Sequence, residues 1–61
     1  MKTPDVGDLV RQSRYHKSKV GSDWGIGTVV AEHGSIYLTV YWSRWSRLFK
    51  MTRGELEVLD V

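Results

Sequence analysis

Alternation of apolar and polar positions is strongest between residues 36 and 43. Along this stretch β-branched and aromatic residues follow a period of two, which is the pattern of a β-strand. Both sides of the pattern are substantial, so we predict a central strand with neighbours on both edges and with both faces largely covered. One side consists of Ile36, Leu38, Val40 and Trp42, and the other of Tyr37, Thr39, Tyr41 and Ser43.

Four other runs predict shorter strands, at residues 9–15, 25–32, 47–52 and 57–61. Gly25 and Gly27 open the second of these, and glycine in a strand usually marks a bulge or a close backbone approach. The polar run 16–25 is predicted as a long connecting loop. Thr52 and Glu55 have capping-box spacing, which predicts a single helical or 3₁₀ turn before the last strand. No helix longer than one turn is predicted.

Five short strands with one helical turn predict an all-β fold. A closed or half-closed barrel would hide the edge groups that an open five-stranded sheet leaves unpaired. Residues 1–6 are predicted as a lead-in and residues 7–61 as a single domain, because 61 residues support one small core. The expected core consists of Val10, Ile26, Val29, Leu38, Val40, Trp42, Phe49, Met51, Leu56 and Val58.

Composition argues against catalysis and cofactors. The chain has no cysteine and two histidines, which excludes disulfides, thiolate metal sites and a histidine-built zinc site. No Ser, His and Asp grouping, no paired carboxylates in an apolar strand and no phosphate-binding glycine loop is present. We therefore predict a protein that is not an enzyme and needs no cofactor, with His16 and His33 at the surface.

Charge is segregated along the chain. Nine Lys and Arg against seven Asp and Glu give a net charge of +2, which alone argues only weakly for a polyanionic partner. However, the stretches 9–22 and 33–54 each carry four cations and no acid. No run of eighteen apolar residues occurs, so the chain is expected to be soluble and cytoplasmic, without a membrane partner.

Chain geometry predicts where these cations meet. Successive hairpins of an antiparallel meander turn at alternate ends, so the loop before the second strand and the turn before the fourth should share one end of the sheet. Cations interleaved with exposed aromatic rings suit single-stranded nucleic acid, and they suit a protein interface equally well. The predicted binding residues are Tyr15, Lys17, Lys19, Trp24, Arg44, Trp45 and Arg47.

The three tryptophans are expected to differ in exposure. Trp42 is in phase with Val40 and is predicted to be core, whereas Trp45 lies within a polar turn and is predicted to face solvent. Trp24 follows Asp23 and precedes a glycine, and two interpretations remain open for it. It either forms a lid over the end of the core or stands exposed as part of the binding surface.

Four short motifs, in this order, resemble SH3-like barrels of the KOW and Tudor kind, including short barrels of phages and bacteria. The resemblance implies a five-stranded SH3-like barrel with a 3₁₀ turn before the last strand. KOW-like barrels imply contact with RNA, ribosomes or RNA polymerase, and Tudor-like barrels imply an aromatic cage at one end. The motifs are Gly7-Asp8-Leu9-Val10-Arg11, Gly25-x-Gly27-x-Val29-Val30, Val40-x-Trp42 and Leu56-Glu57-Val58-Leu59.

Three functional hypotheses follow. The first is an adaptor that docks onto a protein or nucleoprotein assembly in the cytoplasm. The resemblance to short phage barrels implies that it could be encoded by a phage and act in the host cytoplasm or in a virion. The second is direct RNA or DNA binding by the same end of a KOW-like barrel. The third is a structural subunit of a virion or complex, which would use the sheet edges for symmetric packing.

Overall fold

The computed structural model describes residues 3–59, which form one antiparallel sheet of five strands. A short α-helix follows the first strand and a 3₁₀ turn precedes the last. The strand order across the sheet is β4-β3-β2-β1-β5. The elements are β1 (Leu9–Gln12), α1 (Arg14–Val20), β2 (Ile26–His33), β3 (Tyr37–Trp42), β4 (Arg47–Thr52), the 3₁₀ turn (Arg53–Glu55) and β5 (Leu56–Val58).

The all-β fold, its five strands and the 3₁₀ turn are confirmed. Thr52 precedes that turn, and the Glu55 carboxylate accepts from its backbone N–H at 2.9 Å and from its hydroxyl at 3.0 Å. Strands β4 and β5 lie at the two edges, and the described strands show no pairing between them. Closure into an SH3-like barrel therefore stays a prediction. The end of the predicted fifth strand, residues 60 and 61, lies outside the described residues.

The helix α1 corrects the predicted first strand and loop. The strand ends at Gln12 rather than residue 15, and residues 14–20, which span the end of the predicted strand and the start of the predicted loop, form two helical turns. The prediction that no helix exceeds one turn is therefore wrong. Ser13 caps the helix by accepting from the His16 backbone N–H at 3.1 Å. Gly21 ends it with φ of 73°, and its N–H donates to the Lys17 carbonyl at 2.9 Å.

The core lies on one face of the sheet and follows the predicted alternation. Of the ten predicted core residues, seven are buried and two, Phe49 and Val58, are half-buried against them. The prediction that Ile26 belongs to the core is wrong, because this residue is 52 % exposed on the opposite face. The buried residues are Val10, Val29, Leu38, Val40, Trp42, Met51 and Leu56.

Gly27, and not Ile26, faces the core from the start of β2. A Cβ built there would lie 2.6 Å from Val40 Cγ1 and 2.9 Å from Trp42 Cε3. Glycine therefore marks a close approach between β2 and β3, as one reading of the sequence predicted. The predicted bulge lies elsewhere, because the register between β2 and β3 shifts between Val29 and Ala31.

Strand β3, which corresponds to the predicted central strand, is an interior strand, whereas β2 is the middle strand of the sheet. The prediction of neighbours on both edges is confirmed, because β3 pairs with β2 and β4. The expectation that its second face is covered is wrong. Tyr37 is 44 % exposed and Tyr41 is 38 % exposed, since no further layer packs on that face among the described residues.

Candidate functional site

The loop between β1 and β2 and the turn between β3 and β4 meet at one end of the sheet, as predicted. Arg44 Nη1 donates to the Asp23 carbonyl at 2.8 Å and so joins the two segments. The Asp23 carboxylate accepts from the Gly25 N–H at 2.9 Å, and Lys17 Nζ lies 3.5 Å away. The Gly25 N–H, followed by the charge of Lys17, lowers the pKa of Asp23 below its ordinary 3.8.

Trp24 is a lid over the end of the core, which decides between the two interpretations of this residue. Its half-buried ring packs edge-on against Trp42, with centroids 5.5 Å apart, and lies 4.9 Å from the Phe49 ring. The Arg47 guanidinium lies 5.9 Å from the centroid of Phe49. Trp42 is fully buried, as predicted. Trp24 thus connects the loop to the core.

Trp45 faces solvent, as predicted, with 46 % of its surface exposed. Its backbone N–H donates to the Trp42 carbonyl at 3.1 Å, so the turn that carries it is hydrogen-bonded. Ser46 completes the turn with φ of 51°, a left-handed conformation that few residues other than glycine adopt. An exposed indole is therefore presented between Arg44 and Arg47 on an ordered turn.

Tyr15 and Lys19 do not join this end. They lie four residues apart on one face of α1, where Lys19 Nζ is 6.0 Å from the Tyr15 ring centroid. Lys17 lies roughly 160° away around the helix axis, because each residue turns the helix by about 100°. Five of the seven predicted binding residues are brought together. We call this set the basic aromatic end: Lys17, Trp24, Arg44, Trp45 and Arg47.

His16 is the site residue that sequence reasoning missed. It was predicted to be a surface residue but is only 6 % exposed, under the edge of Trp24 at a ring centroid distance of 4.8 Å. Gln12 Nε2 lies 3.0 Å from its Nδ1, and Glu55 Oε2 lies 3.8 Å from its Nε2. Ser13 and Gly21, at cap positions eight residues apart, are the signal for the helix that buries it. His33 is exposed, as predicted.

The hydrogen bonds of Gln12 assign the tautomer of His16. Gln12 Oε1 accepts from the Trp24 backbone N–H at 2.7 Å, which turns the amide nitrogen towards His16. Because an amide nitrogen only donates, Nδ1 must be the acceptor, and the proton of the neutral ring is on Nε2, facing Glu55. Loop, helix and 3₁₀ turn are therefore joined through one buried imidazole.

Glu55→Gln should lower stability near neutral pH by about 1 kcal/mol, because the amide oxygen of Gln can accept from the same Thr52 groups but without the negative charge that strengthens these hydrogen bonds. The hydrogen bond from the Thr52 N–H, then that from its hydroxyl and the nearby charge of Lys19, lower the pKa of Glu55 below 4.5, while burial opposes the shift. A carboxyl with a lowered folded pKa stabilises the protein above its unfolded pKa and loses that contribution as pH falls through the folded value. Urea denaturation at pH 7 and at successively lower pH measures the difference.

Asp5→Asn is the matched control, because it removes a carboxylate whose side chain has no contact of this kind with Thr52. At pH 7 it should change stability little. A Glu55→Gln deficit that stayed constant from neutral to acid pH would contradict the assigned role of the charge.

No family model, curated protein or solved structure matches this chain. Function must therefore be inferred from side-chain geometry. Among residues 3–59, no cluster of three His, Cys, Asp or Glu side chains could hold a metal ion. In the same range no helix is long and apolar enough to span a bilayer.

Proposed function

We propose that this protein is a non-enzymatic binding module, with an SH3-like barrel fold, that docks onto a larger protein or nucleoprotein assembly through the basic aromatic end. The observation that carries the proposal is the exposed Trp45 on its hydrogen-bonded turn between Arg44 and Arg47. Tryptophan and arginine dominate the binding energy of protein interfaces. A turn that is already ordered loses little conformational entropy when a partner covers it.

The surroundings of Trp45 support the proposal. Trp24 and Arg44 are fixed by contacts within the protein, so the surface around the exposed ring is rigid. Asp23 and Glu55 both have a lowered pKa and both accept from backbone N–H groups, a state that suits structure rather than proton transfer. We place the protein in the cytoplasm, or in a virion if it is phage-encoded.

The double variant Arg44→Ala, Trp45→Ala should lose the partner that wild-type protein retains from extracts of cells that express it. The matched control is Tyr37→Ala, Lys50→Ala, which also removes an exposed ring and a cation, but from positions in β3 and β4 outside the turn, where Lys50 lies over the Tyr37 ring. Quantitative mass spectrometry of the retained proteins compares the three samples. A partner set that is unchanged by the double variant, or lost equally in the control, would refute docking through this end.

Direct nucleic-acid binding is the second candidate, and the balance of ion pairs favours it. Within residues 3–59, three Lys or Arg pair with carboxylates, whereas Arg14, Lys19, Arg44, Arg47 and Lys50 have no such partner. Labelled single-stranded and duplex oligonucleotides titrated at low and physiological salt separate the candidates. Binding that falls steeply with salt would favour this function, and no binding at low salt would exclude it.

A further inference from the structure

An open groove of about 500 Å³ lies beside the basic aromatic end, between α1 and the outer face of the sheet. Its size falls within the roughly 300–1,000 Å³ of typical ligand sites. Lys17 and Asp23 belong to its wall, so the groove is continuous with the loop that Arg44 holds. The other lining residues are Arg11, Gln12, Arg14, Gly25, Ile26, Glu57 and Leu59.

Two arginine side chains that line the groove have guanidinium N–H donors without a hydrogen-bond partner among the described residues. Arg11 Nε donates to Glu57 Oε1 at 3.0 Å, which leaves the other guanidinium nitrogens of Arg11 without a partner among the described residues. Lys17 is paired with Asp23. Arg14 has no carboxylate partner within residues 3–59. Two guanidinium groups thus line a groove whose two carboxylates already have cationic partners.

The floor of the groove is apolar. Ile26 is 52 % exposed and lies directly opposite Arg11 in the β1–β2 register. Leu59, half-buried after β5, lines the same groove. Gly25 adds no side chain at its edge, so the backbone is accessible there. An exposed isoleucine beside unused guanidinium donors offers one apolar contact and at least two charge-assisted hydrogen bonds.

We infer that this groove binds an acidic peptide segment of the docking partner, with carboxylates on Arg11 and Arg14 and an apolar side chain on Ile26. The inference rests on the proposed docking function and specifies the chemistry of the partner. Planar guanidinium groups bind carboxylates through paired hydrogen bonds. A groove beside a rigid exposed ring would let one partner contact both surfaces.

An acidic peptide fits this groove better than a nucleic acid does. A phosphate backbone carries a negative charge at every nucleotide, more than two guanidinium groups can pair, whereas a peptide can place its few carboxylates opposite Arg11 and Arg14. No aromatic ring lines the groove to stack with bases. The apolar floor at Ile26 matches a side chain of Leu or Val type instead.

Fluorescence anisotropy with a labelled peptide in which Asp and Glu alternate with Leu tests the inference. The wild-type protein should bind it, and a peptide with Asn and Gln in place of the acids should bind at least about tenfold more weakly.

Arg14→Glu should also weaken binding of the acidic peptide about tenfold or more, and Ile26→Ala severalfold. Arg14 is the first residue of α1, where an acid is favourable to the helix, so the variant should stay folded.

Lys50→Glu is the matched control, because it changes the net charge equally but lies on β4, across the sheet from the groove. Equal loss in Lys50→Glu and Arg14→Glu would show general attraction and refute the site. So would the absence of peptide binding at low salt, or tighter binding of an oligothymidine in the groove than of the acidic peptide. If Arg44→Ala, Trp45→Ala loses the cellular partner but the peptide does not bind, docking stands and the acidic groove is wrong.

Discussion

Gly27→Ala should destabilise the protein by about 3 kcal/mol, the upper end of the cost of overpacking a core. The new methyl group would lie 2.6 Å from Val40 Cγ1 and 2.9 Å from Trp42 Cε3. Both neighbours are fully buried, so neither can move without displacing other core side chains. Because a core of this size rarely supplies more than about 3–5 kcal/mol, a large unfolded fraction is expected at room temperature. Urea denaturation followed by circular dichroism measures the loss.

Gly54→Ala is the matched control for this prediction. Gly54 lies in the 3₁₀ turn, its φ is not positive, and nothing lies within 4 Å of a Cβ built there. The same methyl group should therefore leave stability unchanged or raise it slightly, since alanine restricts the unfolded chain. Equal stability of the two variants would contradict the close approach of β2 and β3 at Gly27.

Gln12→Leu should cost about 2 kcal/mol, because leucine keeps the volume of the side chain but removes two hydrogen bonds from a buried site. The Trp24 N–H would lose its acceptor and His16 Nδ1 its donor. The loss should be concentrated in α1 and the loop that carries Trp24. Amide hydrogen exchange should therefore increase in residues 14–25 more than in β3.

Gln12→Glu distinguishes the hydrogen bonds from the packing. Glutamate retains an acceptor for the Trp24 N–H, and His16 can bear a proton on Nδ1 and donate to the second oxygen. This variant should keep the helix protected and move the His16 ring proton to Nδ1, which nitrogen chemical shifts report. Unchanged exchange in Gln12→Leu, or no change of ring tautomer in Gln12→Glu, would contradict the proposed network.

The sheet was predictable because its pattern is local. Alternation fixed the inward set of β3 and β4, and the bounds of β4 were predicted to the residue, at Arg47–Thr52. The shared end of two hairpins follows from antiparallel geometry, and Arg44 bonded to the Asp23 carbonyl confirms it. Trp42 and Trp45 were placed correctly because one is in phase with the core and the other is not.

The helix α1 was not predictable from alternation, because it buries one polar residue rather than an apolar stripe. Its sequence signals are the cap residues Ser13 and Gly21, which are also common in loops. Once the helix forms, it separates Tyr15 and Lys19 from Lys17, which an extended loop would not have done. The error at Ile26 has a different origin, because alternation from Val29 places position 27 inward and position 26 outward, but glycine has no side chain to mark the inward position as apolar.

Among residues 3–59, strand β4 pairs on one side only, with β3, so its outer backbone groups could hydrogen-bond to a strand of another molecule. Arg47 and Lys50 are both exposed along its six residues. Adding a second copy of this strand edge to edge would bring like charges together over a short ladder, which opposes fibre-like association. The cations of β4 are therefore expected to disfavour edge-to-edge association along this strand.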